Sequence, residues 1–380
     1  MDKSRLRRDE FPITRNLVYF NHAAVGPLSQ TAYAAMERHA RDQRDHGALR
    51  WREWYAEDRA LRAEAASLIG AAAGEISILK NTSEGLSFVA EGYRWERGEN
   101  VVTTDMEFPS NFTPWKRLER RGVECRLLAT HQGGFEVGDL EKVVDAKTRI
   151  VSVSSVSFHN GFAPDLIEIG RFCETSGILL CVDAIQSVGA IPIDMRKAKI
   201  SFLAADGHKW LLGPEGTAIF FCAEQAREKL DVLESGWMNI DRGGKFIGCP
   251  TELLEDGRRL EAGSLNTNGV YGLRAAISLI QSIGVDEIGA EVIRIAARLA
   301  TRLEEIGCTV HTPRPIASGI VAATPPGVDS RRILEIHAAL EERAILCAPR
   351  EGMLRFSPHF YNDESDIERV IEAMRGIISK

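Results

Sequence analysis

Two stretches decide how this chain reads: Gly177-Ile178-Leu179-Leu180-Cys181-Val182-Asp183-Ala184-Ile185-Gln186 and Ile200-Ser201-Phe202-Leu203-Ala204-Ala205-Asp206-Gly207-His208-Lys209-Trp210. The first is a short apolar run that ends on an aspartate. The second is another apolar run that ends on a polar turn carrying a lysine. Runs of this length bounded by turn residues predict buried parallel strands. If the two strands lie near each other in one sheet, Asp183 and Lys209 both emerge at its carboxyl edge, where open α/β sheets bind ligands.

An aspartate and a lysine so placed fit pyridoxal 5'-phosphate (PLP). The lysine forms a Schiff base with the aldehyde, and the aspartate keeps the pyridine nitrogen protonated, which makes the ring an electron sink. Here the chain resembles the class V aminotransferases of PLP fold type I. That family includes cysteine desulfurases, selenocysteine lyases and isopenicillin N epimerase-like proteins. The matching stretches run from Tyr19 to Tyr361. The resemblance implies an α/β fold whose large PLP-binding domain, residues 20–281, holds a mostly parallel seven-stranded sheet between helices. A smaller α+β domain would comprise residues 1–19 and 282–380.

The totals agree with an ordinary globular enzyme. A length of 380 residues accommodates a large and a small domain, and 44% hydrophobic with 27% charged residues is a usual balance. A net charge of -7 argues against nucleic acid as a partner. No apolar run is long enough to span a bilayer, and the N-terminus has no apolar stretch behind its basic residues, so a secretory signal is not expected. The seven cysteines form no C-x-x-C pair, which predicts neither a metal site nor a disulfide framework and suits a reducing, cytoplasmic setting.

Taken in order, the segment Leu17 to Leu28 reads as a short strand running into a turn of small residues. The resemblance gives its His22 and Ala23 to the substrate side of the cofactor; the residues alone are equally compatible with a structural turn. Residues 30–70 have a helical pattern ending at Gly70. Trp51, Trp54 and Tyr55 sit there among charges and suit either an interface or a cap on the core. Next comes a strand at Ile76 to Leu79, followed by Lys80-Asn81-Thr82-Ser83-Glu84-Gly85 and a helix from Leu86. A polar turn at a helix N-terminus is a ready anion site, and the resemblance makes Thr82 and Ser83 ligands of the PLP phosphate.

After the strand from Asn100, Met106-Glu107-Phe108-Pro109-Ser110-Asn111 is similar to a family segment whose histidine stacks on the pyridine. Phe108 holds that position here; it can stack and exclude water but cannot carry a proton. Further strands are expected from Glu124 to Ala129 and from Arg149 to Phe158. Gln186, one turn beyond Asp183, is implied to donate to the cofactor's phenolic oxygen. The family asparagine that shares this task is matched by Phe158, so either Gln186 acts alone or Asn160 replaces it. His208 is implied to reach the phosphate. Ser264, within Glu261-Ala262-Gly263-Ser264-Leu265-Asn266, is implied to touch the neighbouring subunit's phosphate in a homodimer. Long amphipathic helices are expected from Val270 to about Ile306, and Arg355 on a late strand is implied to bind the substrate carboxylate.

The expected substrate is therefore a small α-amino acid, with Lys209 as catalytic lysine. Desulfurases carry a reactive cysteine on a loop before the substrate arginine. Between Ile345 and Arg355 there is no room for that loop, and Cys347 falls in an apolar run. The sequence thus points to a C–S lyase or an isopenicillin N epimerase-like enzyme rather than a persulfide-forming desulfurase, with transamination as the alternative. A non-catalytic PLP or amino-acid binder is the rival from another class. A dinucleotide-binding protein would want G-x-G-x-x-G after its first strand, and none stands there.

Overall fold

The computed structural model describes residues 1–248 and 250–378. At its centre lies a sheet of seven strands: β1 (Ile76–Leu79), β2 (Asn100–Thr104), β3 (Glu124–Leu128), β4 (Thr148–Ser154), β5 (Leu179–Asp183), β6 (Phe202–Asp206) and β7 (Ala218–Cys222). Their spatial order is β1-β7-β6-β5-β4-β2-β3. Neighbours are parallel except around β7, which runs against both β1 and β6.

The apolar runs form strands because successive side chains on an extended chain point to opposite faces and both faces are covered. Leu180, Val182, Leu203, Ala205, Ile219 and Phe221 join the core on one face. Cys181, Phe202, Ala204, Phe220 and Cys222 join the core on the other. Each fully buried aliphatic or aromatic side chain contributes about 1.5–3 kcal/mol.

The helical stretch at 30–70 is two helices, Gln30–His46 and Trp51–Ile69. Gly47 breaks it with φ of 57°, and Gly70 ends the second helix in the left-handed region at φ 75°. Trp54 packs edge-on against His39, whereas Trp51 is exposed. The strand expected to reach Phe158 stops at Ser154. There the Ser155 amide bonds to Asp183 O at 2.9 Å and the Ser157 amide to Phe162 O at 2.7 Å, which turns the chain back.

Two long helices, Thr267–Ile283 and Val285–Glu305, meet at Gly284. Beyond them an antiparallel four-stranded sheet has the order Ala348–Arg350, Met353–Phe356, Val321–Thr324, Thr309–Val310. It packs a separate core that includes Leu299, Val321, Leu354, Phe356, Val370 and Met374, joined by Val18 and Phe20 from the N-terminal strand. No helix among the described residues is long and apolar enough to cross a membrane.

Candidate active site

Sheet register builds the site. Ser154 pairs with Asp183, and Asp183 with Ala204, so the carboxyl ends of β4, β5 and β6 lie side by side. The helix Thr82–Gly92 starts at the same edge, capped by the Asn81 side chain, which accepts from the Glu84 amide at 2.9 Å. Between this edge and the small sheet lies a cavity of about 310 Å³. Ala23, Thr82, Ser83, Phe108, Asp183, Gln186, His208, Lys209 and Arg355 all line it, as do Phe158, Asp206 and Arg350.

Lys209 sits in a tight turn. Its carbonyl accepts from the Leu212 amide at 3.1 Å, and Leu212 is held at φ 57°. Such backbone strain persists only where the surroundings enforce it. Gly26 crosses this turn so closely that a Cβ there would lie 2.3 Å from Lys209 O. Burial lowers the Lys209 ammonium to about 8, with Asp183 opposing and Arg355 adding to that fall. Asp183 is raised to about 7, by burial first and by the Glu107 carboxylate as well, although the Ile185 amide donates to it at 3.1 Å. A buried carboxylate held beside a second carboxylate has good reason to take a cationic N–H partner.

Glu107 was not singled out in the sequence. It accepts from Asn111 Nδ2 at 2.9 Å and from the Ser154 amide at 2.9 Å, which fixes it behind Asp183. No local pattern announces it, because its donors come from two different elements.

The orientation of Gln186 is set by chemistry. The Trp210 indole N–H can only donate, and it donates to Gln186 Oε1 at 2.8 Å. The amide nitrogen therefore faces the Ala23 carbonyl at 3.0 Å and keeps one N–H without a protein partner. Asn160 is ruled out as the replacement for the family's asparagine. The Asn160 side chain donates to Gly133 O at 2.7 Å and accepts from the Phe162 amide at 3.1 Å, and it does not line the cavity.

At the helix end, the Thr82 and Asp206 residues grip each other. The Thr82 amide donates to Asp206 Oδ2 and the Asp206 amide to Thr82 Oγ1, both at 3.0 Å. Ser83 and Ser110 hydroxyls pair at 2.7 Å. Asp206 Oδ1 and His208 Nδ1 are buried without hydrogen-bond partners.

Arg355 lies inside the small sheet, only 2% exposed. Its Nη1 donates to Phe158 O at 2.6 Å, while Nε and Nη2 find no partner. Burial, reinforced by Arg350, lowers it to about 9. A forked guanidinium with free donors facing a cavity suits a carboxylate. Arg350, which the sequence reading passed over, faces the same space. Phe108 and Phe158 meet edge-on at 5.1 Å, and the Lys209 Nζ stands 5.8 Å from the centre of the Phe108 ring.

Two expected residues lie elsewhere. His22 is corrected: its ring is fully buried, with Nδ1 donating to Ser357 O at 2.8 Å and Nε2 accepting from the Tyr361 hydroxyl at 2.7 Å. Sealed this way, it positions Ala23 rather than meeting a substrate. Ser264 lines a separate groove with Lys80, Glu84 and Asn266. Cys347 is buried and its thiol is pushed up to about 12.

PLP fits these residues: an unfilled carboxylate for a protonated nitrogen, a spare amide N–H for an oxygen, a helix N-terminus with hydroxyls for a phosphate, and an unpaired lysine. The class V aminotransferase family model matches residues 18–370, and the chain belongs to that family. It is a PLP-dependent enzyme of fold type I. It is 32% identical to a probable cysteine desulfurase of Methanothermobacter thermautotrophicus, over 98% of this chain and 97% of the relative. An uncharacterized aminotransferase of Bacillus subtilis is 30% identical, over 92% of this chain and 93% of its own. Among solved structures, the cysteine desulfurase of Thermococcus onnurineus superposes with a TM-score of 0.90 at 27% identity, over 99% of this chain and 98% of that one. These relatives overturn the expectation of a C–S lyase or epimerase-like enzyme that is not a desulfurase. That expectation rested on the short segment before Arg355, and relatives matched along their whole length carry the desulfurase name.

Proposed function

We propose that this protein is a PLP-dependent cysteine desulfurase. It moves the sulfur of cysteine to a thiol, leaving alanine: cysteine and a thiol give alanine and a persulfide, with the thiol proton accounting for the new hydrogen on carbon. The observation that carries this reading is the buried, half-unpartnered Arg355 guanidinium facing the same cavity as Lys209. It provides for an amino-acid carboxylate next to a base.

PLP supplies, when bound, a sink for the electrons released at the substrate's α-carbon. In this reading Asp183 would face the pyridine nitrogen, Gln186 would donate to the phenolic oxygen, and Thr82, Ser83 and His208 would hold the phosphate, with Phe108 as the wall. Arg355 orients the substrate through its carboxylate. Lys209 Nζ, lowered to about 8, gives up its proton close to neutral pH and so serves as the base for the α-proton. The reading includes a homodimer in which Ser264 serves the neighbouring subunit's phosphate, supported by its place in a groove outside its own cavity. It also includes a cytoplasmic setting, supported by the free, buried cysteines.

The sulfur acceptor is a thiol. The six described cysteines are buried, and Cys249 lies outside the described residues. The test incubates PLP-loaded protein with L-cysteine and dithiothreitol. Alanine and sulfide should form in equal amounts, and Lys209→Ala should abolish both. Mass mapping of alkylated cysteines without reductant would locate the persulfide. Pyruvate and ammonia in place of alanine would sink the desulfurase reading.

A further inference from the structure

A carboxylate at the phosphate end of a cofactor site needs a reason. Asp206 closes β6 there, and its Oδ2 already accepts the Thr82 amide. That bond uses one of the free N–H groups at the N-terminus of the helix Thr82–Gly92, the groups that would otherwise meet an anion. A phosphate dianion arriving beside an ionised carboxylate is repelled unless a cation stands between them.

The geometry supplies that cation. Asp206 Oδ1 and His208 Nδ1 are both buried without partners, and they lie 3.6 Å apart, just beyond hydrogen-bond range. Oδ2 is pinned to the helix, so Oδ1 is held towards the imidazole. The other charged groups around the cavity are Lys209 beside His208, Asp183 from β5 with Glu107 behind it, and Arg350 and Arg355 from the small sheet. Lys209 is needed at the aldehyde, and the two arginines approach from the opposite element. His208 alone is left to offset the carboxylate.

We propose that Asp206 is a positioning residue: it clasps the first turn of the helix at Thr82 and holds a proton on His208 Nδ1, so that binding of the cofactor phosphate draws one proton onto the imidazole. The Nε2–H then faces the phosphate, and the imidazolium screens Asp206 from it. A carboxylate that fixes the tautomer and charge of a neighbouring imidazole is a recurrent device. The inference rests on the cofactor and is independent of which amino acid is the substrate.

The test uses apoprotein and 4'-deoxypyridoxine 5'-phosphate, which has the phosphate but no aldehyde, so that Lys209 chemistry is absent. Titration calorimetry near pH 8, where an ordinary histidine is neutral, is run in buffers of different ionisation heat to count protons. Lys209, lowered to about 8, and the pyridine nitrogen facing Asp183 can also take up protons at this pH, so the reading is a difference: wild type should take up about one proton more per analogue bound than His208→Gln. Asp206→Asn is the diagnostic change. Its amide oxygen still accepts from Thr82 while its NH2 meets His208 Nδ1, so the clasp survives and the imidazole stays neutral. The excess of proton uptake over that of His208→Gln should fall by at least half, and affinity by about tenfold. The double variant should bind no more weakly than the weaker single one. Wild-type proton uptake in Asp206→Asn, or losses that simply multiply in the double variant, would overturn the proposal. So would failure of wild type to bind the analogue. If Asp206→Asn does not fold, Asp206→Ser, whose hydroxyl can accept from Thr82, takes its place with the same outcomes.

Discussion

Replacing Arg355 with methionine should separate binding from stability, because the two effects have opposite signs. The guanidinium falls from 12.5 to about 9 through burial, with Arg350 adding to the effect. At about 1.4 kcal/mol per pH unit, this amounts to roughly 5 kcal/mol of destabilisation. The sign follows from linkage. A base depressed in the folded state carries the full cost at neutral pH, and relief comes only as the pH rises through about 9. Against it stands one charge-assisted bond, Nη1 to Phe158 O at 2.6 Å, contributing about 1.5–3 kcal/mol. Methionine fills similar volume without charge, so Arg355→Met should be about 2–3 kcal/mol more stable, a rise of several degrees. Loss of the carboxylate contact should cost about 3 kcal/mol of substrate binding, or roughly a hundredfold in KM. Scanning calorimetry of the PLP-loaded proteins and cysteine titration of alanine formation read the two numbers. A melting temperature that drops by more than about 5 °C with unchanged KM would refute the reasoning, since Arg355 would then be a structural cation.

Three further outcomes are expected. Asp183 is raised from 3.8 to about 7, so the apoprotein should lose stability, on the order of 4 kcal/mol, as the pH rises between those values; Asp183→Asn should flatten that slope in thermal scans, and an unchanged slope would place the titration elsewhere. Trp210→Phe leaves Gln186 Oε1 buried without its donor, which should cost about 1–3 kcal/mol in denaturant unfolding and shift the visible band of the bound cofactor; neither change would mean that Trp210 does not orient Gln186. Gly26→Ala puts a Cβ 2.3 Å from Lys209 O, and should displace the lysine turn and weaken cofactor retention; full retention would show that the crossing can yield.

Much of this protein was legible because strong local patterns coincide with strand ends. Asp183, Gln186 and Lys209 each follow a buried apolar run, and such a run specifies both the strand and the point where the chain leaves it. Thr82 and Ser83 were legible for a similar reason, since a hydroxyl-rich turn before a helix is a local signal. The helix break at Gly47 and the early end of β4 were less visible. The end of β4 depends on a distant segment, through the Ser155 amide to Asp183 O, whereas the Gly47 break is closed by local bonds such as the Gly47 amide to Gln43 O within a run whose helical pattern continues on both sides.

The roles that went wrong or unseen are those decided by packing. His22 reads like a polar site residue, yet Ser357 and Tyr361, more than three hundred positions away, take both its ring nitrogens. Glu107, Trp210 and Asp206 carry no sequence signal of their own, because each acts through a partner on another element. The chain's linear pattern by itself determined the alternating burial that makes the sheet and the chemistry offered at its edge. Only the tertiary structure decided which of those polar groups still have a free atom facing the cavity, because hydrogen-bond saturation depends on what the folded chain brings within about 3 Å.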